Sequence, residues 1–215
     1  RNLIVPFYSD AVPNGPAMKK RKPGGRPTKA EAAALDSRVL DGARALFGEK
    51  GIANSSVDEL AVALGVSKHT IYRRFPNKAS LLEAVVERDI DRFRNELSAA
   101  GAEATDALES VRLTALRYFQ HGSSRDYATF YLSLSAEASV SAELRSRLAE
   151  WTKRALEPLV AAVSAARSAG HLQAESTSVV CEILVDLLEG ANNRVRLRDE
   201  GSRDRRSARW IFDQR

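Results

Sequence analysis

Lys68, His69, Thr70, Tyr72, Arg73 and Arg74 stand within seven consecutive residues, and Lys78 follows close behind. At helical pitch they form an outer face of hydrogen-bond donors: two guanidiniums, an ammonium, a hydroxyl and a phenol. Such a face suits a partner rich in acceptors. Phosphate oxygens take the charges, and the O6 and N7 edge of a guanine takes a bidentate guanidinium. Backbone amides at helix starts beginning on Ser56 and Ser67 add a second means of holding phosphate. The plain alternative is a charged face turned to water, and the neighbouring residues decide against it. Leu60, Ala61, Leu64, Val66, Ile71 and Phe75 supply inward anchors, and Gly65 supplies the small residue that a tight turn needs. A helix, a glycine turn and a second helix over residues 56–75 is the layout that lays its second helix in a DNA major groove.

Other chemistries find less support. His69, His121 and His171 stand far apart without a ligand-spaced partner, so no metal site is expected. Cys181 is the single cysteine, which rules out an intrachain disulfide and reads as a structural thiol in a reducing cytoplasm. No nucleophile–base pair, phosphate-cradling glycine loop or carboxylate pair points to catalysis, and no cofactor is expected. Glu182, Asp186 and Glu189 share a helix face and read as an acidic stripe toward solvent. An all-helical enzyme would need a polar constellation in the second half of the chain. A helical adaptor would need a protein-binding surface over residues 140–200.

The elements that must position the donors are helices. Four of the seven prolines stand before residue 24, and no strand-like alternation bounded by turns occurs. A first helix is expected from Ala30 to Lys50, with Val39, Ala43, Leu46 and Phe47 on its apolar face and Gly51 just past its end. A second opens on the capping box Ser56-Val57-Asp58-Glu59. A third runs from Ser67 to about Phe75. Pro76-Asn77 ends it, and Lys78 opens a longer fourth helix carrying Leu81, Leu82, Val85, Val86, Ile90 and Phe93. Further on, Leu108 to Phe119 and Tyr127 to Ala138 mark two more. Leu144, Leu148, Trp151, Ala155, Leu159 and Val163 mark another, bent at Pro158. Val180, Leu184, Leu187, Leu188, Ala191 and Val195 mark the last, with an Arg-rich tail beyond.

Charge divides the chain in the same way. Residues 1–80 hold 14 Lys/Arg against 7 Asp/Glu, and residues 81–215 hold 19 against 21. A basic head faces a polyanion, and a slightly acidic body serves another purpose. The expected organisation is a leader and basic arm over residues 1–29, a DNA-binding head over 30–80 and a regulatory and dimerisation body over 81–215. Residues 1–17 read as a leader or upstream extension ahead of Met18. Residues 19–29, which include Arg26, place six Lys/Arg in eleven positions, an arm able to follow a minor groove or bind phosphates. No apolar run approaches the roughly 18 residues of a membrane span.

The head also resembles a known family. Gly25-Arg26-Pro27-Thr28, then Ala43, Leu46, Phe47 and Gly51, then Ser56-Val57-Asp58-Glu59-Leu60-Ala61 through Leu64-Gly65-Val66-Ser67-Lys68, Thr70-Ile71-Tyr72, Phe75, Asn77-Lys78 and Leu81-Leu82 resemble the signature of TetR regulators. The resemblance covers about a third of the chain. It implies an all-α fold, a three-helix head followed by a larger helical bundle that binds ligand and dimerises. It implies a repressor that leaves a pseudo-palindromic operator in double-stranded DNA when a small molecule binds. Thr70 and Tyr72 then match contacts to the DNA backbone or thymine methyls, Lys78 a phosphate contact, and Lys68 and His69 base-reading positions. Two positions depart from the pattern: His69 where small residues are common, and Arg74 where histidine is frequent. Lys68 or Arg73 is the expected reader of a guanine.

For the body, the resemblance implies an apolar effector cavity. Phe119, Tyr127, Phe130, Tyr131 and Trp151 are the candidate lining, although simple core packing explains any one of them. The effector is expected to be apolar or amphipathic. The apolar face of Val180, Leu184, Leu187, Leu188, Ala191 and Val195 is the candidate homodimer interface, since late helices in the family pair with their twofold mates. One recognition helix touches too few base pairs for specificity, so two heads are needed.

Overall fold

Short polar side chains start most of the helices. In the computed structural model, which describes residues 28–173, 176–196 and Phe212, Thr28, Ser56 and Asn77 each close a reciprocal capping box with the residue three positions on. Ser67, Asp106, Ser124 and Ser141 cap four more starts. Each such cap is worth about 1 kcal/mol, because it satisfies an amide that the helix itself leaves open. The described residues form nine helices: α1 (Lys29–Lys50), α2 (Val57–Leu64), α3 (Lys68–Tyr72), α4 (Lys78–Ala102), α5 (Ala107–Gly122), α6 (Arg125–Val140), α7 (Ala142–Ala155), α8 (Glu157–Ser168) and α9 (Thr177–Arg196). No strand occurs among them. The fold is all-α, with a helix-turn-helix head and a larger helical body.

Two cores hold these helices, and α4 runs through both. The first gathers Val39, Ala43 and Phe47 of α1, Leu60 and Ala61 of α2, Ile71 of α3 and Leu81, Val85 and Ile90 of α4. It continues into the body through Phe130, Leu134 and Trp151. The second joins Phe93 and Leu97 of α4 to Ala115, Tyr118 and Phe119 of α5 and to Leu188, Ala191 and Val195 of α9. With 25 residues, α4 is about 37 Å long at 1.5 Å per residue, so one rigid rod ties head to body.

Two expectations about boundaries change. The third helix stops at Tyr72, not near Phe75. Arg74 and Phe75 still donate their amides to the Ile71 carbonyl, so the chain keeps turning toward the core without a regular helix. The helix expected to bend at Pro158 is two helices, parted at Leu156. Proline lacks an amide hydrogen and fits the first turn of a helix, where that amide has no partner, so Pro158 starts α8 instead of bending a longer rod. Helices α5 and α9 pack closely at Gly122. A Cβ there would come within 2.3 Å of the Asn192 side chain, which would have to shift to admit any other residue.

Candidate nucleic-acid interface and body cavity

The helix-turn-helix geometry follows from three local devices. The Ser56–Glu59 box fixes the start of α2. Gly65 ends it in the left-handed region at φ 65°, a conformation most L side chains resist. The Ser67 hydroxyl accepts the Thr70 amide and sits 2.8 Å from the Thr70 hydroxyl, which fixes the start of α3. Fully buried Ile71 anchors α3 inward. His69, Tyr72 and Arg73, the last just past the helix end, therefore point out: all three are exposed, and none of their side chains has a hydrogen-bond or ion-pair partner among the described residues. Lys68 is exposed too and pairs with Asp58 of α2. A pair so open to water contributes only ~0–1 kcal/mol and yields readily to a phosphate.

Two expected DNA contacts turn inward. Arg74 pairs with Asp36 of α1, and its second nitrogen lies 3.5 Å from the Ala32 carbonyl, so it braces α1 against the end of α3. The Lys78 ammonium donates to the carbonyls of Ile52, Ala53 and Ser55 at 2.8, 3.2 and 3.2 Å. An ammonium has three hydrogens, and here all three are spent on the loop between α1 and α2. A lysine at a helix start reads the same in sequence whether it faces phosphate or a neighbouring loop. Arg26 and the basic arm before Thr28 lie outside the described residues.

In the body, Tyr127, Phe130, Tyr131 and Trp151 line a cavity of about 100 Å³ with Phe93 and Tyr118. Phe119 does not line it. It is fully buried in the second core, against Phe212 at 6.1 Å between ring centroids. Sequence reasoning chose the wrong member of an adjacent pair: neighbours on a helix diverge by about 100°, and Tyr118 with His121, one turn on, takes the cavity face. Asp89, His121 and Phe93 were missed as well. The spacing Val86, Asp89, Ile90, Phe93 marks one face of α4 and was the available signal.

The polar tips of the wall are tied back. Tyr118 donates to Glu189 at 2.8 Å, so Glu189 belongs to this wall and not to a solvent stripe. The Trp151 indole donates to Glu87 at 2.9 Å. His121 Nδ1 meets Glu96 at 3.1 Å, and burial lowers the His121 pKa below the usual histidine value despite that carboxylate. Burial, and then the Glu189 charge, push the Tyr118 phenol far above the ordinary range. Tyr127 and Tyr131 stack at 5.4 Å, and their hydroxyls have no hydrogen-bond partner among the described residues.

The last helix divides its apolar residues differently from expectation. Leu188 is 4% exposed and packs with Ala191 and Val195 inside the second core, with Leu184 against them. Val180 is half-buried. Only Leu187 of the expected interface set faces out, at 65% exposure, together with Val179 and Ile183 on α9 and Val160 on α8. The expected stripe spanned both faces of α9. Contacts with α5 and α8 claim the inner one, so the open face is the i, i+4, i+8 row Val179, Ile183, Leu187.

An all-helical chain with an outward-facing recognition helix and a hollow, aromatic-lined body is a helix-turn-helix regulator in architecture. Residues 39–85 match the model of bacterial regulatory proteins of the tetR family. An HTH-type transcriptional regulator of Staphylococcus aureus is 39% identical over 56 residues, 26% of this chain and 30% of that protein. The aligned part thus spans under a third of the relative's length. The solved structure of the transcriptional regulator FadR from Bacillus subtilis, in complex with stearoyl-CoA, superposes with a TM-score of 0.72 at 19% identity, covering 82% of this chain and 95% of that one. A regulator from Saccharomonospora viridis in complex with choline superposes with a TM-score of 0.68 at 18% identity, covering 85% and 93%. At these identities the likeness is one of fold.

Proposed function

We propose that this chain is a sequence-specific DNA-binding transcriptional regulator, a repressor that a small-molecule effector releases from its operator. It acts by binding, not by catalysis, and works in the cytoplasm. The observation that carries this reading is the exposure of His69, Tyr72 and Arg73 on one face of α3 and its end, their side chains free of protein partners among the described residues, beside a buried Ile71 that fixes their direction. Unpaired donors on a short helix at the protein surface are costly only if nothing polar meets them. A major groove presents the acceptors they lack.

In this reading the head spans residues 30–80 and the body 81–215, with α4 common to their packing. Two heads are held on a pseudo-palindrome by a homodimer formed through Val179, Ile183 and Leu187 of α9 with Val160 of α8. The exposed row supports this face. The body cavity takes the effector, which reaches the head through α4 and through α1, whose Ile52-side end meets α6 at Ser133.

The test selects duplexes from a random pool with the full chain and then measures affinity by fluorescence anisotropy. A pseudo-palindromic consensus, bound at least a thousandfold tighter than random duplex, is the expected result at roughly the specificity ratio of such proteins. Equal affinity for every duplex overturns the reading. Leu187→Glu is expected to give folded monomers that lose operator affinity.

A further inference from the structure

The cavity wall is aromatic, but its charge is one-sided. Among the described residues that line it none is lysine or arginine, and Asp89 is the one carboxylate. His121 adds no positive charge near neutrality, since burial holds its pKa down. The carboxylates behind the rings are already matched: Glu87 pairs with Arg154, Glu96 with Arg117 and Glu189 with Arg196.

Asp89 is differently placed. One oxygen pairs with Arg44 of α1. The other is buried without a hydrogen bond, and Arg88 stands 3.8 Å from it. Those two arginines also pair with Asp126 and Asp41, which are largely exposed. Of the three carboxylates, Asp89 is the one that lines the cavity. The rings of Phe93, Tyr118, Tyr127, Phe130, Tyr131 and Trp151 line the same cavity. Aromatic faces carry negative potential and attract cations, above all desolvated ammonium groups. A carboxylate or phosphate ligand would meet Asp89 and, among the described lining residues, no lysine or arginine.

Arg44 lies directly behind this wall. Besides Asp89 it reaches Asp126 at the start of α6 at 2.6 Å, and it sits 5.3 Å from the centroid of Phe130, another lining ring. One guanidinium thus ties the head helix α1 to α4 and α6 through the residues that face the cavity. A cation that takes a share of Asp89 competes with Arg44.

We propose that the body cavity is a site for a small organic cation, an alkylammonium group caged by the aromatic wall with Asp89 as its countercharge, and that the Asp89–Arg44 pair carries occupancy to the head. The proposal deepens the effector reading above and rests on it for the link to DNA. The two solved relatives hold ligands of unlike charge, stearoyl-CoA and choline, so the fold does not set this choice. The lining does. At about 100 Å³ the cavity has room for a compact ammonium head.

The experiment titrates the full chain calorimetrically with tetramethylammonium chloride, tert-butanol and sodium pivalate at equal ionic strength. These probes are similar in size and branching and differ in charge. Tetramethylammonium is expected to bind about tenfold tighter than either of the others, and Asp89→Asn to lose about that factor. Arg44→Gln removes the competitor and is expected to raise tetramethylammonium affinity severalfold, while abolishing any effect of the probe on operator binding, since the two affinities are linked. A merely structural role for the pair would lower affinity in both variants.

Pivalate or tert-butanol binding as tightly as tetramethylammonium overturns the proposal, as does unchanged affinity in folded Asp89→Asn. If Asp89→Asn loses its cooperative melt, Tyr131→Leu carries the test, because it removes a ring face and leaves Asp89 in place. Unchanged tetramethylammonium affinity there also overturns it. A chain that binds its operator and none of the probes refutes the cation site alone. A chain that binds tetramethylammonium with this preference and no duplex refutes the regulator while the cation site stands.

Discussion

The two sites that α4 connects are built on opposite plans. At the head, His69, Tyr72 and Arg73 are exposed on a five-residue helix and just past its end, and their side chains have no protein partner among the described residues. In the body, Tyr118, Trp151 and His121 line the cavity with their polar atoms tied to Glu189, Glu87 and Glu96. The difference teaches what each partner demands. A polyanion is met by charges left free at the surface, where water solvates them until it arrives. A small molecule, the partner proposed for the body, would be met by a hollow whose walls are held from behind, so that little order is lost on binding.

The sharpest break in this contrast is one of stability. Phe119 fills the second core completely, so Phe119→Ala should cost about 3–5 kcal/mol. Tyr131 borders space that already exists, and Tyr131→Ala should cost about 1 kcal/mol by the same logic of cavity creation. Urea unfolding measures both. Equal losses would mean that Tyr131 is core and the wall is not hollow. Gly122→Val should rank next, at about 1–3 kcal/mol of overpacking, because its new side chain meets Asn192. Thermal melting of Gly122→Val beside the double variant with Asn192→Ala reads the clash, and the double variant should regain part of the loss.

In the head, free and tied donors should separate. Arg73→Ala should leave melting unchanged and relax preference at one or two base pairs per half-site, by about 1–3 kcal/mol if it holds a guanine. Arg74→Ala, which removes the brace on Asp36, should lower the melting temperature instead. A base-specific loss in Arg74→Ala with unchanged melting would reverse these assignments. Lys78 gives a finer test. Lys78→Met orphans three carbonyls and should cost about 1.5–3 kcal/mol of stability, the range for bonds to charged groups. The dependence of log affinity on log salt should stay as steep as before. A slope shallower by about 0.9 would show a phosphate contact after all.

The smallest effect concerns pH. Burial depresses the His121 pKa in the folded state, so below the ordinary value of 6.5 the unfolded chain binds more protons than the folded one. Stability then rises with pH through that window and is lost as pH falls below it. His121→Gln should flatten this part of the stability profile. An unchanged slope in the variant would assign it to other groups.

The sequence by itself determined the helices, the turn and the direction of the recognition face. Caps, Gly65 and the spacing of Leu60, Ile71 and Phe75 are local devices, acting within a few residues through hydrogen bonds and backbone sterics, so their outcome is written where they stand. It also determined that aromatic residues near Tyr127 and Trp151 gather in the body. Tertiary structure alone decided which side of each helix meets a neighbour. Donors at Lys78 and Arg74 read as free in the sequence, and the loop carbonyls at Ile52 and the Asp36 carboxylate, more than twenty residues away, consumed them. Phe119 and Tyr118 are aromatic neighbours in sequence and both join the second core, but only Tyr118 also borders the cavity. Leu188 and Leu187 part as well, one in the core and the other exposed. A helical pattern fixes which residues share a face, but long-range packing fixes which face is inside, because burial energy is gained only against a partner surface that the local sequence does not contain.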